Sequence, residues 1–333
     1  MISRRFGVVA IAFATIATVA CTSAKAPKRP DLPPLETKEL SSITQGPGAR
    51  WVIALRPKVI FSGELGAAMS KVSAKDGFAQ LEKHLGFDVR TSDDALIVGY
   101  ATSTFYAAHL AEGASPGGAV DALEKRLMDP SRASPRADVV MAWGSLPSGA
   151  PAHAIGMWST RGDVVVGDVG RRPGPAIASL ALSMGKLPIA RSLAKQAPFD
   201  SLSTFAGDAE LAISARCPLT DVLPSGKNEA PVVAQECDGA VLTFRPSGQG
   251  KLTLALHVTG RWGSDAPSVQ KEVSAALDRV IASDLGRLLG LRDVKPEVTA
   301  TKDAVDATML VDAGTLAAGL HDLIEPTLGG LTK

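Results

Sequence analysis

Strand-like runs in this chain come in clusters with helical stretches between them, and that order constrains the fold more than any other feature. Residues 95–100 and 104–109 are apolar, strand-like runs with only Ala101, Thr102 and Ser103 between them. So short a link cannot make a parallel crossover, so the pair reads as an antiparallel hairpin. Before it, residues 51–61 (WVIALRPKVIF) read as a strand interrupted near Pro57. Helical signals follow over residues 63–85, broken near Asp76 and Gly77, with Gly86 placed for a C-terminal cap. Residues 116–128 form a short helix with Ala119, Leu123 and Leu127 on one face. Strands are expected at 137–143, 152–158 and 164–169, then a buried apolar helix over 175–193.

The remainder repeats this order. Strands at 209–217, 239–244 and 251–262 lead to a long helix at 267–289, then strands at 297–301 and 304–310 and a final helix at 314–324. In the long helix Val269, Val273, Leu277, Val280, Leu285 and Leu288 keep helical spacing. Ser264 or Asp265 is placed to cap its start and Gly290 to end it. The chain therefore reads as α+β, with antiparallel sheets packed against helices. Residues 49–205 and 206–333 form two halves of the order strands, helix, strands, helix. A duplicated module is one reading of that order, although no residue-level repeat is visible.

The N-terminus carries an address. Arg4 and Arg5 precede residues 6–20 (FGVVAIAFATIATVA), an uncharged apolar run of fifteen. A spanning helix needs about 20 such residues, so residues 1–20 read as a cleaved signal peptide. Thr18-Val19-Ala20-Cys21 ends the run with small residues before a cysteine. This resembles the lipobox of bacterial lipoproteins, with Thr18 where that family usually has Leu. The resemblance implies cleavage before Cys21 and lipidation of its thiol by diacylglycerol and further acyl chains such as palmitate. It also implies a cell-envelope protein held to the membrane by its lipid anchor. Thr22 stands where Asp often means inner-membrane retention, which points to the outer membrane. Residues 21–48, rich in Pro and charge, read as lipidated Cys21 followed by a flexible tether. Stretches 85–89 (LGFDV) and 285–291 (LGRLLGL) resemble uncharacterised lipoproteins of soil myxobacteria. That family brings no site residues with it.

Thirty-five basic against thirty-four acidic residues give a net charge of +1, which excludes a strongly basic nucleic-acid binder. Once Cys21 is assigned to lipid, Cys217 and Cys237 remain, with Pro218, Pro224, Gly226 and Pro231 between them. In an exported chain they are expected to form a disulfide worth about 3 kcal/mol. Two buried thiols are the alternative.

Catalytic signatures are sparse. Ser-x-x-Lys occurs at Ser183/Lys186, Ser192/Lys195 and Ser268/Lys271, all read as lying in apolar helices. In penicillin-binding proteins and β-lactamases this spacing puts a serine one turn from its activating lysine. The supporting boxes are missing: Asn228 has no Ser two residues before it, and Lys-Thr-Gly does not occur. Gly-x-Ser-x-Gly is absent too. The run 167–174 (GDVGRRPG) has the wrong glycine spacing for a dinucleotide fingerprint, and 247–251 (SGQGK) reads as a hairpin turn rather than a P-loop. His321, Asp322 and Glu325 share a helical face that needs no metal to explain it, and Asp93-Asp94 reads as a turn or cap. Arg161-Gly162-Asp163 matches an adhesion tripeptide but falls where a hairpin loop is expected. Trp51, Trp143, Trp158 and Trp262 sit at strand ends and read as core rim rather than a sugar or lipid groove.

No catalytic residues, metal ligands or cofactor are therefore expected. The sequence favours a non-catalytic envelope lipoprotein acting as a scaffold or partner-binding module. The alternative is a carrier or sensor of a hydrophobic ligand such as a lipid, for which an apolar pocket of several hundred Å³ is the discriminating feature.

Overall fold

A computed structural model describes residues 33–72, 77–114, 117–145, 154–160, 164–170, 174–219, 233 and 236–331. Residues 1–20, expected as a signal peptide, Cys21, Asn228 and the tripeptide 161–163 lie outside the described residues. From Leu35 onward the chain is one compact unit.

The alternating runs pair into one antiparallel sheet. Its first strands are β1 (Trp51–Leu55), β2 (Ala95–Gly99), β3 (Ser103–His109), β4 (Met128–Arg136), β5 (Val139–Ser145), β6 (Ala154–Thr160) and β7 (Val164–Gly170). The others are β8 (Leu211–Arg216), β9 (Gly239–Gly248), β10 (Lys251–Thr259), β11 (Glu297–Ala300) and β12 (Ala304–Asp312). Their order is β11-β12-β10-β9-β8-β1-β2-β3-β7-β6-β5-β4. The seam is the antiparallel pair β1/β8, with Ile53 opposite Ile213. Counted outward from that seam, β1-β2-β3-β7-β6 and β8-β9-β10-β12-β11 have the same order. The hairpin β4-β5 is an addition at one edge.

Ten helices flank the sheet among the described residues: α1 (Leu40–Ile43), α2 (Pro57–Ser62), α3 (Glu64–Val72), α4 (Gly77–Leu85), α5 (Gly118–Glu124), α6 (Gly174–Ser183), α7 (Phe199–Ala206), α8 (Ala266–Ala282), α9 (Asp284–Leu288) and α10 (Ala313–Leu331). Side chains alternate across a strand, so register assigns each helix to a face. Val52, Val98 and Phe105 share one face and pack with Leu40, Ile43, Ala176 and Leu180 of α1 and α6. Leu55, Leu211, Phe244, Leu254 and Met309 share the other and pack with Ile60, Leu65, Leu316 and Ala317 of α2, α3 and α10. The terminal helices of the two halves, α6 and α10, thus close on opposite faces.

Several local expectations change. Pro57 does not interrupt a strand: β1 stops at Leu55 and Pro57 opens α2, where its missing N–H costs nothing. β4 was not expected, and Pro130 and Pro135 stand inside it. It runs along the sheet edge, and both prolines fall where its register with β5 slips. The helix expected to reach 193 ends at Ser183, and left-handed Gly185 (φ +67°) follows. Short 3-10 turns at Ile189–Arg191 and Leu193–Lys195 take its place. The helix expected over 267–289 breaks at Ser283, whose hydroxyl accepts the Gly286 N–H at 3.1 Å and starts α9. Val280 and Leu285, on either side of that break, are 41% and 44% exposed. Asp265 is the N-cap of α8 but makes no side-chain cap bond.

Residues 35–48, expected as part of a flexible tether, are packed instead. Leu40 and Ile43 are buried, and Leu35 packs beside them. Backbone bonds hold this strap down: Glu36 N–H to Ser183 O (2.9 Å), Leu193 N–H to Thr44 O (2.7 Å) and Gly46 N–H to Arg191 O (2.9 Å). Leu35, Leu40 and Ile43 are too few and too irregularly spaced to show a period, so the prolines before them dominate the sequence reading.

Candidate functional site

The β1/β8 seam carries alanines where its neighbours carry larger side chains. On the face of Val52, strand β1 contributes Ala54 and β8 contributes Ala212. Above them, α7 ends in Ala206 and the following turn brings Ala209. Small side chains on floor and roof leave a pocket of about 310 Å³. Leu40 of the strap, Leu193 of the 3-10 turn and Phe199 at the start of α7 wall it, and Ser41, Ser203 and Ser214 add hydroxyls. Lys38, Glu39, Arg56 and Asp94 stand at the end where β1 finishes and β2 begins.

The rim charges are arranged unequally. Asp94 is bonded to His109 Nδ1, and the other ring nitrogen, Nε2, lies 2.6 Å from Thr37 O. Both ring nitrogens of His109 are therefore engaged. Glu39 accepts the Ser42 hydroxyl at 3.1 Å. Arg56 spends one donor on Asp208 O at 3.1 Å. The Lys38 ammonium has no partner among the described residues. Beneath the rim, burial raises the pKa of Glu210; the Arg56 charge opposes the shift and Glu64 adds to it.

A second polar feature lies deeper on the same face. Asp168 of β7 is 0% exposed, between Phe105 and Gly156 in the sheet. Burial raises its pKa to about 6, against opposing bonds from the Ala176 N–H, at the start of α6, and from Ser103. Its Oδ1 has no hydrogen-bond partner among the described residues. Burial, with the Asp168 charge adding to it, also raises Tyr100, whose hydroxyl donates to Gln45 O in the strap. On the far half, His257 pairs with Asp306 at 2.7 Å and stacks on Phe205 at 4.2 Å.

The residues singled out in sequence are scattered. Cys217 and Cys237 come together, Cα atoms 5.6 Å apart, as a disulfide on the face opposite the pocket. Of the Ser-x-x-Lys pairs, Ser183 is buried and bonds Leu180 O. Contrary to expectation, Ser192/Lys195 lies in 3-10 turns and Ser268/Lys271 on the exposed side of α8, so neither sits in an apolar helix. Asp93 pairs with Lys58 at 3.1 Å and Asp94 joins the pocket rim. His321 reaches Asp322 at 3.4 Å, and the Glu325 side chain lies outside the described residues. No group of three His, Cys, Asp or Glu is placed to hold a metal among the described residues. Trp158 and Trp262 are core, with the Trp158 N–H bonded to Ala176 O at 3.1 Å. Trp143 is 36% exposed instead. Sequence reasoning missed Lys38, Arg56, His109 and Asp168. The alanines at 54, 206, 209 and 212, among β-branched and aromatic neighbours, were the available signal.

No protein-family model matches the chain, no curated protein matches its sequence, and no solved structure matches its fold.

Proposed function

We propose that this is an envelope lipoprotein, anchored through Cys21, that carries or senses a small hydrophobic ligand and acts by binding rather than by chemistry. The observation that carries this reading is the pocket of about 310 Å³ over Ala54 and Ala212. Ligand sites run from about 300 to 1,000 Å³ with mainly apolar walls, so this one sits at the small end. Its walls are alanine, leucine, valine and phenylalanine, with hydroxyls as the inner polar groups. The pocket moves the carrier reading ahead of the scaffold reading favoured by sequence.

Two measurements test it. Native mass spectrometry of the full-length chain from an expressing bacterial envelope should show an extra mass of a few hundred daltons at most, removable by organic extraction. A clean mass with no bound species would return the scaffold reading to first place. Separately, Cys21→Ala should move the protein from the membrane fraction to the soluble one; unchanged retention would remove the anchor from the proposal.

A further inference from the structure

We infer that the pocket takes a single unbranched amphiphile of about ten carbons with an anionic head, the head lying between Lys38 and Arg56. The inference rests on reading the pocket as a ligand site.

Size and shape come first. At about 30 Å³ per water-sized group, 310 Å³ holds roughly ten such groups, each close to a methylene in volume. The floor runs along β1 from Arg56 to Val52, four residues, or about 13 Å at ~3.3 Å per residue. Dividing volume by length gives a cross-section of about 24 Å², close to the square of one ~4.8 Å interstrand spacing. That mean width matches one extended chain better than a branched or two-chain lipid.

Orientation follows from charge. Phe199, beside Arg216 at the start of β1, lines the far end. The open end carries two cations, Lys38 and Arg56, and two carboxylates, Glu39 and Asp94. Asp94 is engaged by His109. Arg56 keeps four of its five N–H donors after its bond to Asp208 O. An anionic head there gains charge-assisted hydrogen bonds, whereas a cationic head meets Lys38 and Arg56 directly.

The test uses the full-length chain carrying Cys21→Ala, purified without detergent and titrated calorimetrically with decanoate, decanol and decyltrimethylammonium. Decanoate is expected to bind about tenfold tighter than decanol, as one charge-assisted bond allows, and the cation more weakly than either. Lys38→Gln with Arg56→Gln should bring decanoate within about threefold of decanol while leaving decanol unchanged. Ala212→Leu, or Ser203→Phe if the first variant melts early, should abolish binding of all three. If decanol or the cation binds as tightly as decanoate, or the double variant keeps the preference, the anionic head is wrong and the pocket reading stands. If none of the probes binds, or binding survives the filled pocket, the pocket reading itself falls.

Discussion

Asp168→Asn should stabilise the protein at neutral pH, and the reason lies in where β7 places this carboxyl. Asp168 is fully buried and its pKa stands at about 6 against an ordinary 3.8. At about 1.4 kcal/mol per pH unit, ionising it costs roughly 3 kcal/mol more in the folded chain than in the unfolded one. Between pH 4 and 6 the folded chain therefore holds more protons, and stability falls as pH rises through that window. Above about pH 7 the whole penalty is present; below about pH 4 it is absent. Asparagine keeps an oxygen for the Ala176 N–H, but its amide N–H₂ replaces an oxygen that already lacks a partner, at about 1 kcal/mol. The net gain expected at pH 7.5 is about 2 kcal/mol, shrinking to zero or a slight loss at pH 4. Urea denaturation of both proteins at pH 4, 5.5 and 7.5 measures it. A variant no more stable than the parent at pH 7.5, or a difference that does not change with pH, would refute the assignment of the penalty to Asp168.

Ile43→Ala should cost about 3 kcal/mol in urea denaturation, since Ile43 is 1% exposed in the core; a cost near zero would mean the strap is part of a loose tether. Replacing Cys217 and Cys237 together by Ser should lose about 3 kcal/mol, and unreduced, denatured parent should show no free thiol from this pair. Two titratable thiols would overturn the bridge. Asp312→Ala removes the oxygen that accepts both the Thr315 N–H (2.8 Å) and its hydroxyl (2.9 Å) at the start of α10. It should cost about 1 kcal/mol at neutral pH. Those bonds hold the Asp312 carboxyl below its usual pKa, so its contribution is lost as pH falls through that lowered value.

The sheet was legible where local rules and global pairing agree. Residues 95–109 announce a hairpin because two β-rich runs flank a three-residue link, and β2 and β3 pair as that link requires. The same holds for β11 and β12 across residues 301–303. β4 was illegible because Pro130 and Pro135 carry a signal against pairing, and only its edge position makes them tolerable. Asp168 was hidden for a different reason. It sits in a glycine-rich run weighed for phosphate binding, and nothing in that run shows that α6 folds over it. The pocket was the least legible feature, since Leu40, Ala54, Leu193 and Ala212 come from four separate stretches and each alone is an ordinary small or apolar residue.

The pocket has a cause in the topology. The two halves share strand order, yet α6 turns to the face of Val52 while α10 turns to the face of Leu55. Among the described residues, no long helix therefore lies over the seam on the Val52 side. α1, α7 and a 3-10 turn cover it instead, elements of four, eight and three residues. A packed helix sits about 8–10 Å from its neighbour and fills that gap with side chains along its length; short pieces meeting at angles leave space, and alanines at 54, 206, 209 and 212 do not fill it. One wall of that space, Lys38 to Ser41, belongs to the strap that continues towards Cys21. A ligand that touches the docked strap binds that state better than an undocked one, and by linkage it must stabilise docking by RT ln(1 + [L]/Kd). On the proposed reading, occupancy of the pocket and docking of the strap are then two readings of one equilibrium.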